Sequence, residues 1–264
     1  MSTRTEWVGG AATTRALCVL APNPSSMTLE GTNTWILSEP GAQRCVVVDP
    51  GPLHDGHLDA VLGTVARLGQ RVALTLLTHG HWDHAESAAR FGELTRAPVH
   101  AIGPGHADLR DGDRLRLDGL DVAVVATPGH SRDSVSFLLP AENSLLTGDT
   151  VLGWGTTVVT WPDGVLVEYL DSLARLERMT SSGEVTRLLP GHGATVEDAA
   201  GKVRFYLEHR HERLAQVRDA MASGTGEDPD AVVALVYADV PRDLWPAARL
   251  SVLAQLDYLR GRLH

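Results

Sequence analysis

Between residues 79 and 84 the chain carries three imidazoles and a carboxylate: His79, His81, Asp83 and His84, in the run His-Gly-His-Trp-Asp-His. Neutral imidazole and carboxylate are donors that zinc, iron and manganese accept, and their crowding disfavours a metal-free surface turn. The same residue types recur singly beside Gly or Pro: His130 in Thr-Pro-Gly-His, Asp149 in Thr-Gly-Asp-Thr and His192 in Pro-Gly-His-Gly. Alone, each reads as a hydrogen-bonded loop residue. Together and in this order they read as one metal-binding set, whose natural chemistry is attack by an activated water on a carbonyl carbon or a phosphorus.

Such a set needs a scaffold. The apolar run 72–77 predicts a buried strand feeding the motif, and 85–91 has helix-forming composition, so the motif sits on a strand-to-helix turn. Further strands are predicted at 17–20, in the second half of 27–37, and at 44–48, 98–102, 115–120, 122–126, 135–139, 145–146 and 185–189. Helical stripes are predicted at 58–68, closed by Gly69, and at 166–179, while 1–12 reads as a loose lead-in and 153–165 as a long loop. The strands ending at 48, 77, 126, 146 and 189 each release a His or an Asp. In layered α/β proteins, loops leaving one sheet edge build the site. Five such loops would gather the seven residues, with Asp49 a candidate to orient an imidazole from behind.

After residue 200 the character changes. A charged helix over 202–221, with Val203, Tyr206, Leu207, Leu214 and Val217 as core contacts, precedes a linker at 223–226 and helices at 230–236 and 244–263. The expected division is 1–200, a hydrolase domain, and 201–264, a small helical module. His209, Arg210, His211 and Arg213 form a mildly basic run, read as a solvated helix face.

The 264 residues suit one large domain with a small appendage, and the net charge of −10 gives no footprint for non-specific nucleic-acid binding or stable DNA binding. A bound dication would still supply local positive charge, so RNA remains open as a substrate. Cys18 and Cys45 lie in apolar runs without CxxC spacing and read as reduced strand residues, although a pairing stays open on sequence alone. No secretory signal and no apolar run approaching the ~20 residues of a membrane span is visible. A cytoplasmic protein without membrane contact is expected, with a homodimer open.

The ordered residues His79, His81, Asp83, His84, His130, Asp149 and His192 resemble the metallo-β-lactamase superfamily over about 15–200. Four stretches resemble its beta-lactamase-like protein 2 subfamily: Asn23-Pro24-Ser25 with Gly31-Thr32-Asn33-Thr34; Thr127-Pro128-Gly129-His130 with Asp133-Ser134; 148–153 running into 155–158; and Pro190-Gly191-His192-Gly193. The tail resembles that subfamily's winged-helix-like module, including His209-Arg210. The resemblance implies a four-layer αβ/βα sandwich of the α/β (α+β) class with a dinuclear site. His79, His81 and His130 would hold one metal, Asp83, His84 and His192 the other, and Asp149 would bridge. Zinc, two per chain, is the default, with iron or manganese open.

Departures narrow the choice. True β-lactamases of this fold lack a bridging Asp where Asp149 stands, and the flavodiiron branch has an acidic residue at the position of His81. The 42 residues between Asp149 and His192 are too few for a β-CASP insertion. No long insertion suits the arm of the tRNA 3′-processing branch. The implied enzyme uses a metal-bound hydroxide oriented by Asp83, the catalytic residue, with Thr32, Asn33, Trp154, Thr156 and Thr157 as substrate contacts; for Trp154, loop packing weighs evenly. Its first expected substrate is single-stranded RNA. The alternatives are a thioester or small ester, as for hydroxyacylglutathione hydrolases, and mononuclear iron oxidation, as for persulfide dioxygenases.

Overall fold

Runs such as Cys45-Val46-Val47-Val48 have no polar face and require burial on both sides of a sheet. The structure, a computed structural model describing residues 7–103 and 106–262, provides it. In chain order the first half contains β1 (Gly10–Ala11), β2 (Ala16–Leu20), β3 (Asn33–Leu37), β4 (Arg44–Val48), α1 (Asp55–Arg67), β5 (Arg71–Leu76), α2 (Trp82–Ala85), α3 (Ala88–Thr95), β6 (Val99–His100), β7 (Ile102–Gly103) and β8 (His106–Ala107). The second half contains β9 (Arg114–Leu117), β10 (Leu120–Ala126), β11 (Val135–Leu139), β12 (Ser144–Gly148), α4 (Leu166–Ser181), β13 (Arg187–Pro190), α5 (Ala199–Ala220), α6 (Pro229–Val236) and α7 (Trp245–Arg262).

Strands β1 to β6 form one sheet in sequential order, and β13-β12-β11-β10-β9 form the second. Alternation along each strand divides its side chains between two cores. Val46, Val48, Leu120, Val122, Val124 and Phe137 face one another between the sheets. Cys45 and Val47 turn outward onto Leu58, Val61 and Phe91 of α1 and α3. Ala123, Val125 and Leu145 turn onto Leu166, Leu173 and Leu176 of α4 and Val203 and Tyr206 of α5. The result is the expected four-layer sandwich. Helix α5 continues past it, and Val217 and Ala220 join Val232, Val233, Val252 and Leu256 of α6 and α7 in a separate small core. Cys18 and Cys45 are buried free thiols, and no helix among the described residues is long and apolar enough to cross a membrane.

The differences from expectation are local. The helix expected over 85–91 is interrupted, because the Ser87 N–H and hydroxyl both donate to Gly51 O, at 3.1 and 2.9 Å, and pull the chain off its helical path. The strand expected over 98–102 splits, since β6 pairs with β5 while β7 pairs with β8. The linker expected at 223–226 is partly a wide helical turn over Met221–Thr225, in which Gly224 (φ 117°) departs from helical geometry. Residues 1–6 of the expected lead-in and residue 263 of the last expected helix lie outside the described residues.

Candidate metal centre

The motif leaves β5 at the edge where the two sheets meet. Thr78 N–H donates to Asp49 Oδ1 at 2.7 Å and Thr78 O accepts from Val135 N–H at 2.8 Å, which ties the first sheet to the second. The loops after β10, β12 and β13 bring up His130, Asp149 and His192. Close approach explains two glycines: a Cβ on Gly148 would sit 2.6 Å from Thr78 Oγ1, and one on Gly191 would sit 2.6 Å from Asp149 Oδ1 and 2.7 Å from His84 Cε1. The Asp149 loop is pinned from the helix side, where Tyr169 Oη donates to Thr150 O at 2.7 Å and Leu152 N–H donates to Tyr206 Oη at 2.9 Å.

All seven residues converge. His81 Nδ1 lies 3.1 Å from His79 Nε2 and 3.0 Å from His130 Nε2. His84 Nε2 lies 3.3 Å from His192 Nε2, and Asp83 Oδ2 lies 3.4 and 3.2 Å from those two nitrogens. Between the two groups Asp149 places Oδ1 3.4 Å from His84 Nε2, and Oδ2 3.4 Å from His192 Nε2 and 3.8 Å from His130 Nε2. Potential ligand atoms gather as His79/His81/His130, His79/His84/Asp149 and Asp83/His84/His192.

The far nitrogens explain why these atoms point inward. His130 Nδ1 donates to Val158 O at 2.6 Å, His192 Nδ1 to Gly31 O at 3.1 Å and His84 Nδ1 to Asp49 Oδ2 at 2.8 Å. The Thr78 hydroxyl donates to Asp49 Oδ2 at 2.7 Å, so it can accept from His79 Nδ1, 3.0 Å away. Each of these imidazoles therefore presents an Nε2 lone pair to the cluster. Facing lone pairs repel unless a cation stands between them, and Asp149 Oδ1 is shut from solvent with no hydrogen-bond partner. Burial holds His79 well below its ordinary pKa and brings His130 down to about 4. At His192 burial works the same way, but Asp149 and Asp83 outweigh it and raise the pKa to about 9. Positive charge is drawn to the centre of the cluster. A nitrogen and carboxylate set without thiolate fits zinc, and also iron or manganese.

Asp49 is the orienting residue anticipated from its position. A further layer lies behind it: Thr34 Oγ1 donates to Asp49 O at 2.6 Å and stands 2.8 Å from His57 Nε2, which supplies the proton. Nothing in the sequence marked His57, and Thr34 stood out only as the end of the Gly31–Thr34 stretch, with no orienting role attached, whereas Thr78 was adjacent to the motif.

The expected substrate contacts divide. Asn33 is fully buried, and its Nδ2 donates to Pro190 O at 2.9 Å and Gly193 O at 2.8 Å, so it anchors the His192 loop. Buried Thr32 accepts from Asn23 Nδ2 at 3.0 Å and points its hydroxyl at Asp83 Oδ2, 3.4 Å away. Thr157 is buried against His130. The polar atoms of these three are used inside the protein. Thr157 also lines an open cavity, together with Trp154, Thr156, Met27 and Leu29. The basic run also divides. Arg210 is 3 % exposed, donates to Thr157 O and lies over the Tyr169 ring, so it is no part of a solvated face.

Comparison with known proteins agrees with this geometry. Residues 27–115 and 101–192 match the Metallo-beta-lactamase superfamily, and residues 229–261 match the Beta-lactamase associated winged helix domain. The chain belongs to the metallo-beta-lactamase superfamily and is an enzyme of the metal-dependent hydrolase kind. It is 33% identical over 271 residues to a beta-lactamase-like protein 2 homolog of Drosophila melanogaster, covering 94% of this chain and 88% of that one. It is 37% identical over 213 residues to an atrochrysone carboxyl ACP thioesterase of Aspergillus fumigatus, covering 77% of this chain and 64% of that one. The fold is shared with a metallo-beta-lactamase family protein of Thermus thermophilus, at a TM-score of 0.78 and 22% identity over 96% of this chain and 95% of that one.

Proposed function

We propose that this enzyme is a dinuclear metal hydrolase whose scissile bond is a thioester. The observation that carries the dinuclear reading is the pair of inward-facing clusters with Asp149 between them. His79, His81 and His130 would hold one ion, Asp83, His84 and His192 the other, with Asp149 shared and zinc the first candidate. When bound, the pair supplies a nucleophilic water at neutral pH and Lewis-acid polarisation of the attacked carbonyl. Asp83, aimed by Thr32, orients that water and accepts its proton. Val158 O, Gly31 O and Asp49 fix the imidazoles, so the site needs little rearrangement during reaction.

Two observations favour sulfur over phosphorus. A relative sharing 37% identity across 77% of the chain is named a thioesterase. The net charge of −10 supplies no extended basic surface for an RNA backbone. A thiol with pKa about 8.5 also leaves as thiolate near neutral pH without a proton donor. Single-stranded RNA is the second reading, favoured by likeness to a beta-lactamase-like protein 2 homolog over 94% of the chain, helical module included.

The test is metal analysis followed by parallel assays of acyl thioesters and a labelled single-stranded RNA, each beside Asp83→Asn. Two zinc ions per chain with thioester turnover lost in the variant are expected. RNA cleavage without thioester turnover moves the assignment to the second reading, and a single iron per chain refutes the dinuclear hydrolase.

A further inference from the structure

In a chain with net charge −10, arginines find carboxylates readily: Arg44, Arg114, Arg175, Arg187, Arg249 and Arg260 each hold one. Arg210 and Arg213 do not, and both line one cavity of about 280 Å³ between the 152–157 loop and the helical module. Arg213 donates to Gln216 Oε1 and Val236 O, both at 2.9 Å, and its guanidinium lies 4.6 Å from the centre of the Tyr237 ring. Arg210, at 3 % exposure, donates to Thr157 O and lies 5.0 Å from the Tyr169 ring centre, while its Nε has no partner. No acidic residue is among the described residues lining the cavity. A buried guanidinium that meets only neutral groups is costly, and an anion would relieve that cost. The cavity adjoins the metal centre through the 152–157 loop: Thr157 Oγ1 lies 3.3 Å from His130 Nδ1, and Trp154 stands against Gly193 beside His192.

We propose that this cavity is an anion subsite, in which Arg210 and Arg213 seat an acidic group carried by the substrate at a distance from its scissile bond. Carboxylate and phosphate share the chemistry, since both accept paired N–H donors from guanidinium. The anion-binding part stands on the cavity alone; its placement on the substrate rests on the thioester reading. Trp154 and Met27 give the intervening arm an apolar wall.

The test uses the metal-loaded full chain, Arg213→Gln and Arg210→Gln; Arg213→Gln carries the result if loss of the Thr157 contact unfolds the other variant. Inorganic phosphate binding is measured by calorimetry. Hydrolysis is measured on two acyl thioesters whose thiol arms end in a carboxylate or in the matching carboxamide. Phosphate affinity should fall about tenfold or more in Arg213→Gln. Wild type should prefer the carboxylate ester by a similar factor in kcat/KM, and the variant should lose that preference. Arg-dependent phosphate binding without turnover of either ester supports the subsite and sinks the thioester reading. Arg-dependent phosphate binding with equal turnover of both esters overturns its placement on the substrate. Phosphate binding that is absent, or unchanged in Arg213→Gln, overturns the subsite and leaves the thioesterase standing.

Discussion

Exchanging Asp49 for Asn alters almost no volume, and the structure indicates where the damage falls. Oδ1 accepts the Thr78 N–H at 2.7 Å, while Oδ2 accepts the Thr78 hydroxyl at 2.7 Å and His84 Nδ1–H at 2.8 Å. Asn keeps the first bond through its carbonyl oxygen, which puts its NH2 in the place of Oδ2. The Thr78 hydroxyl can turn and accept. His84 Nδ1 can accept only by giving up its proton, which then moves to Nε2. The lone pair facing Asp83, Asp149 and His192 across 3.3–3.4 Å is thereby lost. Loss of an orienting partner behind a metal-binding histidine weakens affinity about 10–100-fold, and tautomer inversion puts Asp49→Asn at the upper end, about 2–3 kcal/mol. The loss should fall on the Asp83/His84/His192 ion, because Thr78 stands between Asp49 and His79. Zinc competition against a chromophoric chelator should show one site weakened and the other nearly unchanged, with little change in Tm of the metal-free protein. Two sites within threefold of wild type would refute the tautomer argument.

Three further outcomes are expected. Asn33→Ala leaves Gly193 O and Trp7 Nε1 without their partner, while Pro190 O keeps its bond from Trp35 Nε1. The urea midpoint should report a loss of about 2–3 kcal/mol, and a loss below about 1 kcal/mol would contradict the anchoring role. Burial, with His54 adding to it, lowers the His57 pKa to about 4, below its unfolded value. Above about pH 6.5 both states are neutral; as pH falls toward 4 only the unfolded chain takes up the proton, so up to about 3 kcal/mol of stability is lost across that window. His57→Gln should flatten that part of the pH–stability curve, and an unchanged slope would exclude His57 as its source. Chelation should lower Tm by removing ligands that bind only the folded state, and zinc, but not magnesium, should restore it; equal rescue by magnesium would argue against a nitrogen-dominated site.

The strands were legible because two-sided burial writes itself as continuous apolar runs, and the cluster was legible because strand ends released His or Asp beside Gly or Pro. The orienting layer was not. Thr34 and His57 reach the site only because β3, β4 and α1 pack together, a relation across 23 residues that no local pattern encodes. The inward bonds of Asn33 and Thr157 were equally hidden, because a polar loop residue reads alike whether its side chain faces solvent or a neighbouring group. Arg210 was misread for a related reason. Helix α5 is covered by α4 along one stretch and by α6 and α7 along another, so no single apolar stripe separates a buried face from a wet one.

The same packing separates two roles within the enzyme. The cluster hangs from both sheets, with imidazoles aimed by Asp49, Val158 O and Gly31 O, so a change at any one anchor is felt by the coordination. The cavity walls come from the 25–29 and 152–157 loops and from helices outside the sandwich. Substitutions there can resize or recharge the cavity while leaving the sheets untouched, since the cavity meets the cluster through loops. Substrate choice on this fold can therefore vary while the seven-residue cluster stays fixed, which is why the chemistry was readable from His and Asp spacing and the substrate was not.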